Sequence, residues 1–305
     1  MIASMSHHRR RVALIVNPSS ASGVRAHVGT RASNSLKRLG YQVTQVRERT
    51  VSGLRGAVRE LERTGGVQAM ILVGGDGLLH GVINCEPTIP LGVIPTGSGN
   101  DFARSLSIPV RSFRQALARI DRSWDAPRCV DLLEVRHAAG VTRVAGTLSL
   151  GYDALVNRVA NAIRLPLGPL KYQIGLIAAL FRYRPLDIRA RCDGDEYTGR
   201  KLLCSVALIP TIGGGIRIVP DARNTEGCFR FLSVDAVSPL RLARLLPTVA
   251  TGRHTQLSEV SIRPGTHARI ELTRGAPAFG YGDGEYVGTT PFEVRVLPRA
   301  LRVLA

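Results

Sequence analysis

The chain has 305 residues, 44% of them hydrophobic, which suits a folded protein with more than one core and excludes a disordered chain. Its formal charge of +18 rests on 41 basic residues, but only Lys37, Lys171 and Lys201 are lysines, so part of the excess is a general arginine bias. Aromatic content of 5% with scattered arginines argues against nucleic acid as a partner, and no segment reaches the ~18 apolar residues that span a bilayer.

In chain order, a basic tail leads into an apolar run at 12–16 that is too short for a signal peptide and reads as a first strand. Further strands are expected at 41–46, 69–73 and 91–94. Helices are expected between them at 25–39, 53–63, 78–84 and 111–122. That alternation predicts an α/β architecture with a mostly parallel sheet, whose ligands bind at the carboxyl ends of the strands. After Val130-Asp131-Leu132 the pattern changes to short alternating strands at 142–150, 188–191, 202–209, 229–234 and 259–262, a β-sandwich signature. One helical interruption, at 154–183, holds an apolar run from Ile174 with Lys171, Arg182 and Arg184 at its flanks. It suits either contact with lipid or packing on the sandwich. The expected division is an α/β nucleotide-binding domain at 1–132 and a β-rich substrate domain at 133–289, with a last strand at about 290–305 that can return to the first domain. Cys85, Cys129, Cys192, Cys204 and Cys228 are odd in number and have no C-x-x-C spacing. They read as the reduced thiols of a cytosolic protein.

Chemistry concentrates in two glycine-rich loops, Gly74-Gly75-Asp76-Gly77 and Gly97-Ser98-Gly99-Asn100-Asp101. Each follows an apolar run and leads into a helix start, so backbone N–H groups can face anionic oxygens at close range. A phosphate-rich ligand is the natural expectation, and Asp76 and Asp101 beside it call for a cation, most simply Mg²⁺. The seven histidines show no metal-ligand spacing, and His80 reads as a helix surface residue.

Together with Val16-Asn17-Pro18, Val130-Asp131, Gly151-Tyr152-Asp153-Ala154, Gly213-Gly214-Gly215 and Asp283-Gly284-Glu285, these loops stand in the order of the diacylglycerol kinase catalytic-domain family, which the chain resembles over nearly its whole length. The family includes bacterial lipid kinases and the sphingosine and ceramide kinases. The resemblance implies ATP and Mg²⁺ as cofactors, an active site between the two domains, and transfer of the γ-phosphoryl to a lipid hydroxyl. Diacylglycerol giving phosphatidic acid is the default. It further implies that Asn17, Thr50, Gly74, Gly75, Asp76, Gly77, Gly97, Ser98, Gly99 and Asn100 approach the nucleotide. Asp76, Asp101 and Asp131 would surround the metal, and Glu285 would take the proton from the acceptor, with Asp283 supporting it and Asp76 close to the phosphates.

The chain departs from the family pattern at several positions. Leu78 replaces the usual threonine after the first loop, as in sphingosine kinases, and Gly81 stands where glutamate is common. Ser98 replaces threonine but keeps the hydroxyl. Leu208 stands for the usual asparagine, and Glu226-Gly227 replaces an Asp-Gly that holds a structural magnesium in some bacterial members, so that metal is not expected here. The resemblance places the protein at the cytoplasmic face of the membrane, as a peripheral protein on anionic lipid. No nucleic acid is expected, and a homodimer is left open. Other readings are a sphingoid-base kinase, a kinase of a soluble acceptor such as a pyridine nucleotide, and a non-catalytic regulator that binds nucleotide or lipid.

Overall fold

The computed structural model describes residues 10–16, 26–46, 48, 50–163, 170–180 and 182–305. It divides into two compact units. The first comprises Met1–Gly97, Leu106–Cys129 and Leu301–Ala305, and the second comprises Ser98–Ser105 and Val130–Ala300. The chain therefore changes unit after Cys129, a little before the expected boundary at 132, and returns at Leu301 rather than at 290. The second loop is itself divided, with Gly97 in the first unit and the residues after it in the second.

The first unit contains β1 (Arg11–Val16), α1 (Ala26–Arg38), β2 (Gln42–Val46), α2 (Val51–Thr64), β3 (Ala69–Gly74), α3 (Asp76–Ile83) and β4 (Leu91–Pro95). After α4 (Asp101–Ser105), which belongs to the second unit, it adds α5 (Phe113–Arg122). The strands are parallel in the order β2-β1-β3-β4. Val12, Leu14, Ile71 and Val73 form a core with Ala32 and Leu36 of α1 and Leu117 and Ile120 of α5. The alternate residues Ala13, Ile15, Met70 and Leu72 are buried as well. Burial on both faces is why these strands read as continuous apolar runs rather than as alternating ones. Local signals set the helix ends: the Thr50 hydroxyl caps α2 by accepting from Gly53 N–H at 3.0 Å, and Ser112 caps α5 by accepting from Gln115 N–H at 3.3 Å.

The second unit is built from β5 (Arg128–His137), β6 (Gly140–Val144), β7 (Thr147–Gly151), α6 (Tyr152–Ala162), α7 (Leu170–Leu180), β8 (Leu186–Cys192) and β9 (Asp195–Ala207). These are followed by β10 (Thr211–Ile212), β11 (Ile216–Arg217), β12 (Phe229–Asp235), α8 (Pro239–Ala250), β13 (Val260–Gly265), β14 (His267–Leu272), β15 (Phe279–Gly282), β16 (Glu285–Thr289) and β17 (Phe292–Val303). Its strands pair antiparallel in the order β16-β15-β7-β9-β8-β14-β17, with β12 joining β9 to β13. Leu148, Val206, Phe229, Phe231, Ile270 and Phe292 lie in one core between strands. A second core packs Tyr152, Val156, Tyr172 and Leu242 from α6, α7 and α8 on the alternate residues Leu203 and Leu232. β17 starts in this unit, pairing Phe292–Arg295 with β14. It ends in the first unit, where Val303 pairs with Leu91 and Leu304 N–H donates to Leu91 O at 2.8 Å.

Three expectations are corrected here. The run at 142–150 is two strands, not one, because Ala145 and Gly146 turn their amides to Asp283. The helical interruption is two helices, α6 and α7. The expectation of one helical interruption fails as well, because α8 follows β12: Ser238 followed by Pro239 is a helix-start signal, and the Ser238 hydroxyl accepts from Arg241 N–H at 3.2 Å.

Candidate active site

The first glycine loop is a strand-to-helix turn. β3 ends at Gly74, Gly75 is the extended N-cap, and Asp76 opens α3, so a carboxylate sits in the helix's first turn. Gly75 O accepts from Leu78 and Leu79 N–H at 3.1 and 3.2 Å, while Gly74 O accepts from Thr96 N–H at 2.9 Å and ties the end of β4 to the loop. The Leu78 side chain lies over Gly74 so closely that a Cβ there would come within 2.6 Å of Leu78 Cδ2. Leucine at 78 thus replaces a hydroxyl with an apolar cover, and Gly74 must remain glycine beneath it. Gly81 faces Leu54 of α2. His80 is partly buried in α3. Thr50 is exposed and serves as the α2 cap. Asn17 and the loop at 19–23 lie outside the described residues.

In the second unit, Asn100 adopts φ +58° and its carbonyl accepts from Arg104 N–H at 3.0 Å, while Arg104 Nε donates to Gly99 O at 3.2 Å. The buried Asp101 accepts from Gly214 N–H at 2.7 Å, which joins this loop to the triple glycine. Beneath that glycine run lies Tyr172. Gly213 has φ +61° and a Cβ there would come within 2.6 Å of the tyrosine ring, so only glycine fits. The Tyr172 hydroxyl donates to Asp153 Oδ1, and Asp153 is 3% exposed. Burial pushes the Asp153 carboxyl above the usual range. Hydrogen bonds from Ser149 and Tyr172 oppose the shift, and the nearby Asp101 charge adds to it.

The late Asp-Gly-Glu motif is the turn between β15 and β16. Asp283 (φ +54°) accepts from Ala145 N–H at 2.9 Å and Gly146 N–H at 2.7 Å. Asn161 of α6 donates to Gly284 O at 2.9 Å, and Asn157 Oδ1 lies 3.8 Å from where a Gly284 Cβ would stand. The turn is thereby held from both sides, and it presents Glu285 in an exposed position at the start of β16. On the same hairpin, Tyr286 (55% exposed) and Phe279 (44% exposed) have ring centroids 6.1 Å apart, with Tyr281 5.9 Å from Tyr286 and the Arg158 guanidinium 4.9 Å from the Phe279 ring. Sequence reading missed Asn157, Asn161 and this aromatic group. Alternation in 279–286 was the available signal.

Asp131 is 1% exposed, and its two oxygens accept from Gly227 N–H at 2.7 Å and Arg299 N–H at 2.8 Å. Next to this clamp, Arg230 donates to Asp221 Oδ2 and Glu226 Oε2, both at 2.9 Å. A guanidinium thus neutralises the loop where some bacterial members hold a structural magnesium. Arg230→Gln should lower stability by about 1 kcal/mol, since both carboxylates are substantially exposed. Chelation of divalent ions should leave the thermal midpoint of the wild type unchanged; a fall on chelation would show that a metal holds this loop. Among the described residues no group of three or more His, Cys, Asp or Glu side chains is disposed to hold a metal ion by itself.

A parallel-stranded unit with a glycine turn opening a helix, and an antiparallel sandwich carrying Asp-Gly-Glu, define a two-domain kinase. The chain belongs to the diacylglycerol kinase family. Residues 11–135 match the diacylglycerol kinase catalytic domain and residues 146–305 match the YegS C-terminal NAD kinase beta sandwich-like domain. A diacylglycerol kinase of Mycobacterium tuberculosis is 31% identical over 98% of this chain and 96% of its own length. One from Staphylococcus aureus is 26% identical over 97% and 93%. Among solved structures, a diacylglycerol kinase of Bacillus anthracis superposes with a TM-score of 0.69 at 16% identity over 97% of this chain and 96% of that one. A second chain from that organism reaches 0.76 at 18% identity over 97% and 96%. These two show the fold.

Proposed function

We propose that the protein is an ATP-dependent lipid kinase that transfers the γ-phosphoryl to a hydroxyl of an apolar acceptor, with diacylglycerol giving phosphatidic acid as the foremost case. The observation that carries this reading is one hairpin, β15–β16, whose turn presents an exposed Glu285 and whose strands carry the exposed Phe279 and Tyr286, a carboxylate and apolar surface on the same element. A hydroxyl on an amphiphile suits that pairing better than a soluble polar acceptor does. Names of the relatives that match over nearly the full length agree with it.

The amides of the Gly74-Gly75-Asp76-Gly77 turn would hold phosphates of the nucleotide, and the Gly97-Ser98-Gly99-Asn100 loop has the same chemistry. Glu285 accepts the acceptor's proton as its oxygen bonds to the γ-phosphorus, and the bond from that phosphorus to the bridging oxygen breaks to release ADP. Asp76, in the first turn of α3 directly after the glycine turn, would hold Mg²⁺ together with water and substrate phosphates, which suits an ion usually bound by one or two carboxylates rather than by a closed protein cage. When bound it supplies neutralisation of phosphate charge. Asp283 positions Glu285, and Asp131 positions the loop at Gly227.

The same unit offers a surface for anionic lipid. Ile177 (62% exposed) and Ile174 (38%) lie one turn apart on α7, which packs on α8, where Leu240 is 65% exposed beside the exposed Arg241 and Arg244. Exposed apolar side chains with arginines on the neighbouring helix suit peripheral docking, with about 1 kcal/mol per cation near an anionic surface, although Arg241 also pairs with Glu259 at 2.9 Å. Among the described residues no helix is long and apolar enough to cross a membrane.

The test is transfer of labelled phosphate from Mg-ATP to diacylglycerol, ceramide and sphingosine in mixed micelles and to NAD in solution. A labelled lipid is expected. In Phe279→Ser/Tyr286→Ser the lipid KM should rise about tenfold, in line with loss of roughly 1–2 kcal/mol of apolar contact, while the ATP KM holds. Labelling of NAD alone would overturn the reading.

A further inference from the structure

The first unit carries a basic pocket that the proposed reaction does not use. It lies between α1 and α5, has a volume of about 430 Å³, and takes none of its lining from the glycine loops. Arg31 and Arg38 of α1 and Arg114 of α5 line it, and among the described residues none of the lining is acidic. No ion pair among the described residues involves any of these three arginines. Three uncompensated guanidinium groups around one concavity repel each other, and an anion relieves that repulsion. The arginine bias of the chain explains exposed arginines, but not their convergence without a carboxylate. Elsewhere on this protein arginines such as Arg10, Arg63 and Arg230 are paired with acids.

The pocket is also pre-formed. Arg31 lies with its guanidinium carbon 4.8 Å from the centroid of the Phe113 ring, which holds the fork in place and lowers the entropy lost on binding. Leu117, buried in the core of the first unit, forms its floor. Thr30 adds a hydroxyl and Asn34 an amide. Guanidinium forks bind phosphate and carboxylate alike, but a phosphate monoester offers three terminal oxygens and up to two negative charges to three convergent cations, where a carboxylate offers two oxygens and one. The volume falls in the range of small-molecule sites and exceeds what a bare inorganic ion requires.

We infer that the α1–α5 pocket binds a phosphate monoester, carried either by a soluble metabolite or by a phospholipid headgroup, at a site separate from the one that holds the nucleotide. Occupancy bridges α1 to α5 and stabilises the first unit. The inference does not depend on the lipid-kinase reading.

The test measures binding with a non-hydrolysable ATP analogue and Mg²⁺ at saturation, so that the glycine loops are not the site read. The soluble arm titrates glycerol 3-phosphate by calorimetry. The lipid arm measures affinity for phosphatidylcholine vesicles doped either with phosphatidic acid or with the phosphate-free anion oleate. Arg31→Gln/Arg114→Gln should weaken glycerol 3-phosphate binding, or phosphatidic acid binding, at least tenfold while leaving oleate vesicles unaffected. Thr30→Glu, which puts a carboxylate into the pocket from an exposed position, should do the same and keeps the test open if the double variant folds poorly. Weakening in the first arm assigns a soluble ligand and weakening in the second a headgroup. Wild-type affinities retained by both variants in both arms, or no saturable binding by the wild type in either, overturn the inference.

Discussion

Glu285→Gln should reduce kcat on the lipid acceptor by a factor of about 10²–10⁴ with the KM for ATP unchanged, the range typical of losing one positioned proton acceptor. The amide keeps the size of the side chain and the turn that presents it, since Asp283, Asn161 and the amides of Ala145 and Gly146 hold that turn without help from residue 285. Because Glu285 is exposed, the substitution leaves no buried group unpaired, and the thermal midpoint should not move. Full turnover in the glutamine variant would remove Glu285 from the proton-accepting role. A matched fall in kcat and thermal midpoint would make it structural instead.

The largest effect on stability should come from Asp131→Ala. Its carboxylate, 1% exposed, is the acceptor for Gly227 N–H and Arg299 N–H, and alanine leaves both amides without it. At about 1–3 kcal/mol for each unsatisfied group, the loss is roughly 2–6 kcal/mol, a large part of the stability of an ordinary domain. Asp131→Asn retains one acceptor oxygen and should fall between alanine and wild type. Denaturant unfolding with Mg²⁺ and again with a chelator checks both claims. If Asp131 acts mainly as a metal carboxylate, the alanine variant will be nearly as stable as the wild type in chelator. If it acts as a clamp, the deficit will be the same in both conditions.

The first unit was legible because β1, β3 and β4 are buried on both faces, so runs such as Ala69–Gly74 appear as continuous apolar blocks between helix signals. The glycine motifs were legible for a related reason: Gly74 beneath Leu78 and Gly213 over Tyr172 are positions where a Cβ has no room. What could not be read was what the acids hold. Asp101, Asp131 and Asp283 stand out by type, but their partners are the backbone amides of Gly214, Gly227, Arg299, Ala145 and Gly146, far away along the chain. A backbone amide has no residue signature, so sequence names the acceptor and is silent on the donor. Arg230 escaped notice for a similar reason, because a cation near Asp221 and Glu226 is ordinary in a chain so rich in arginine.

The chain passes between its units after Gly97, Ser105, Cys129 and Ala300, and the last of these passages has a bearing on synthesis at the ribosome. Until residues 301–305 have emerged, Leu91 on β4 has no Val303 beside it and the first core lacks Leu304. The first unit, although nearly all of it is made first, must therefore wait through translation of some 170 residues of the second unit with an open parallel edge. A nascent chain in that state is a natural client for chaperones that shield strand edges, and a fragment ending at 129 would retain the same open edge permanently.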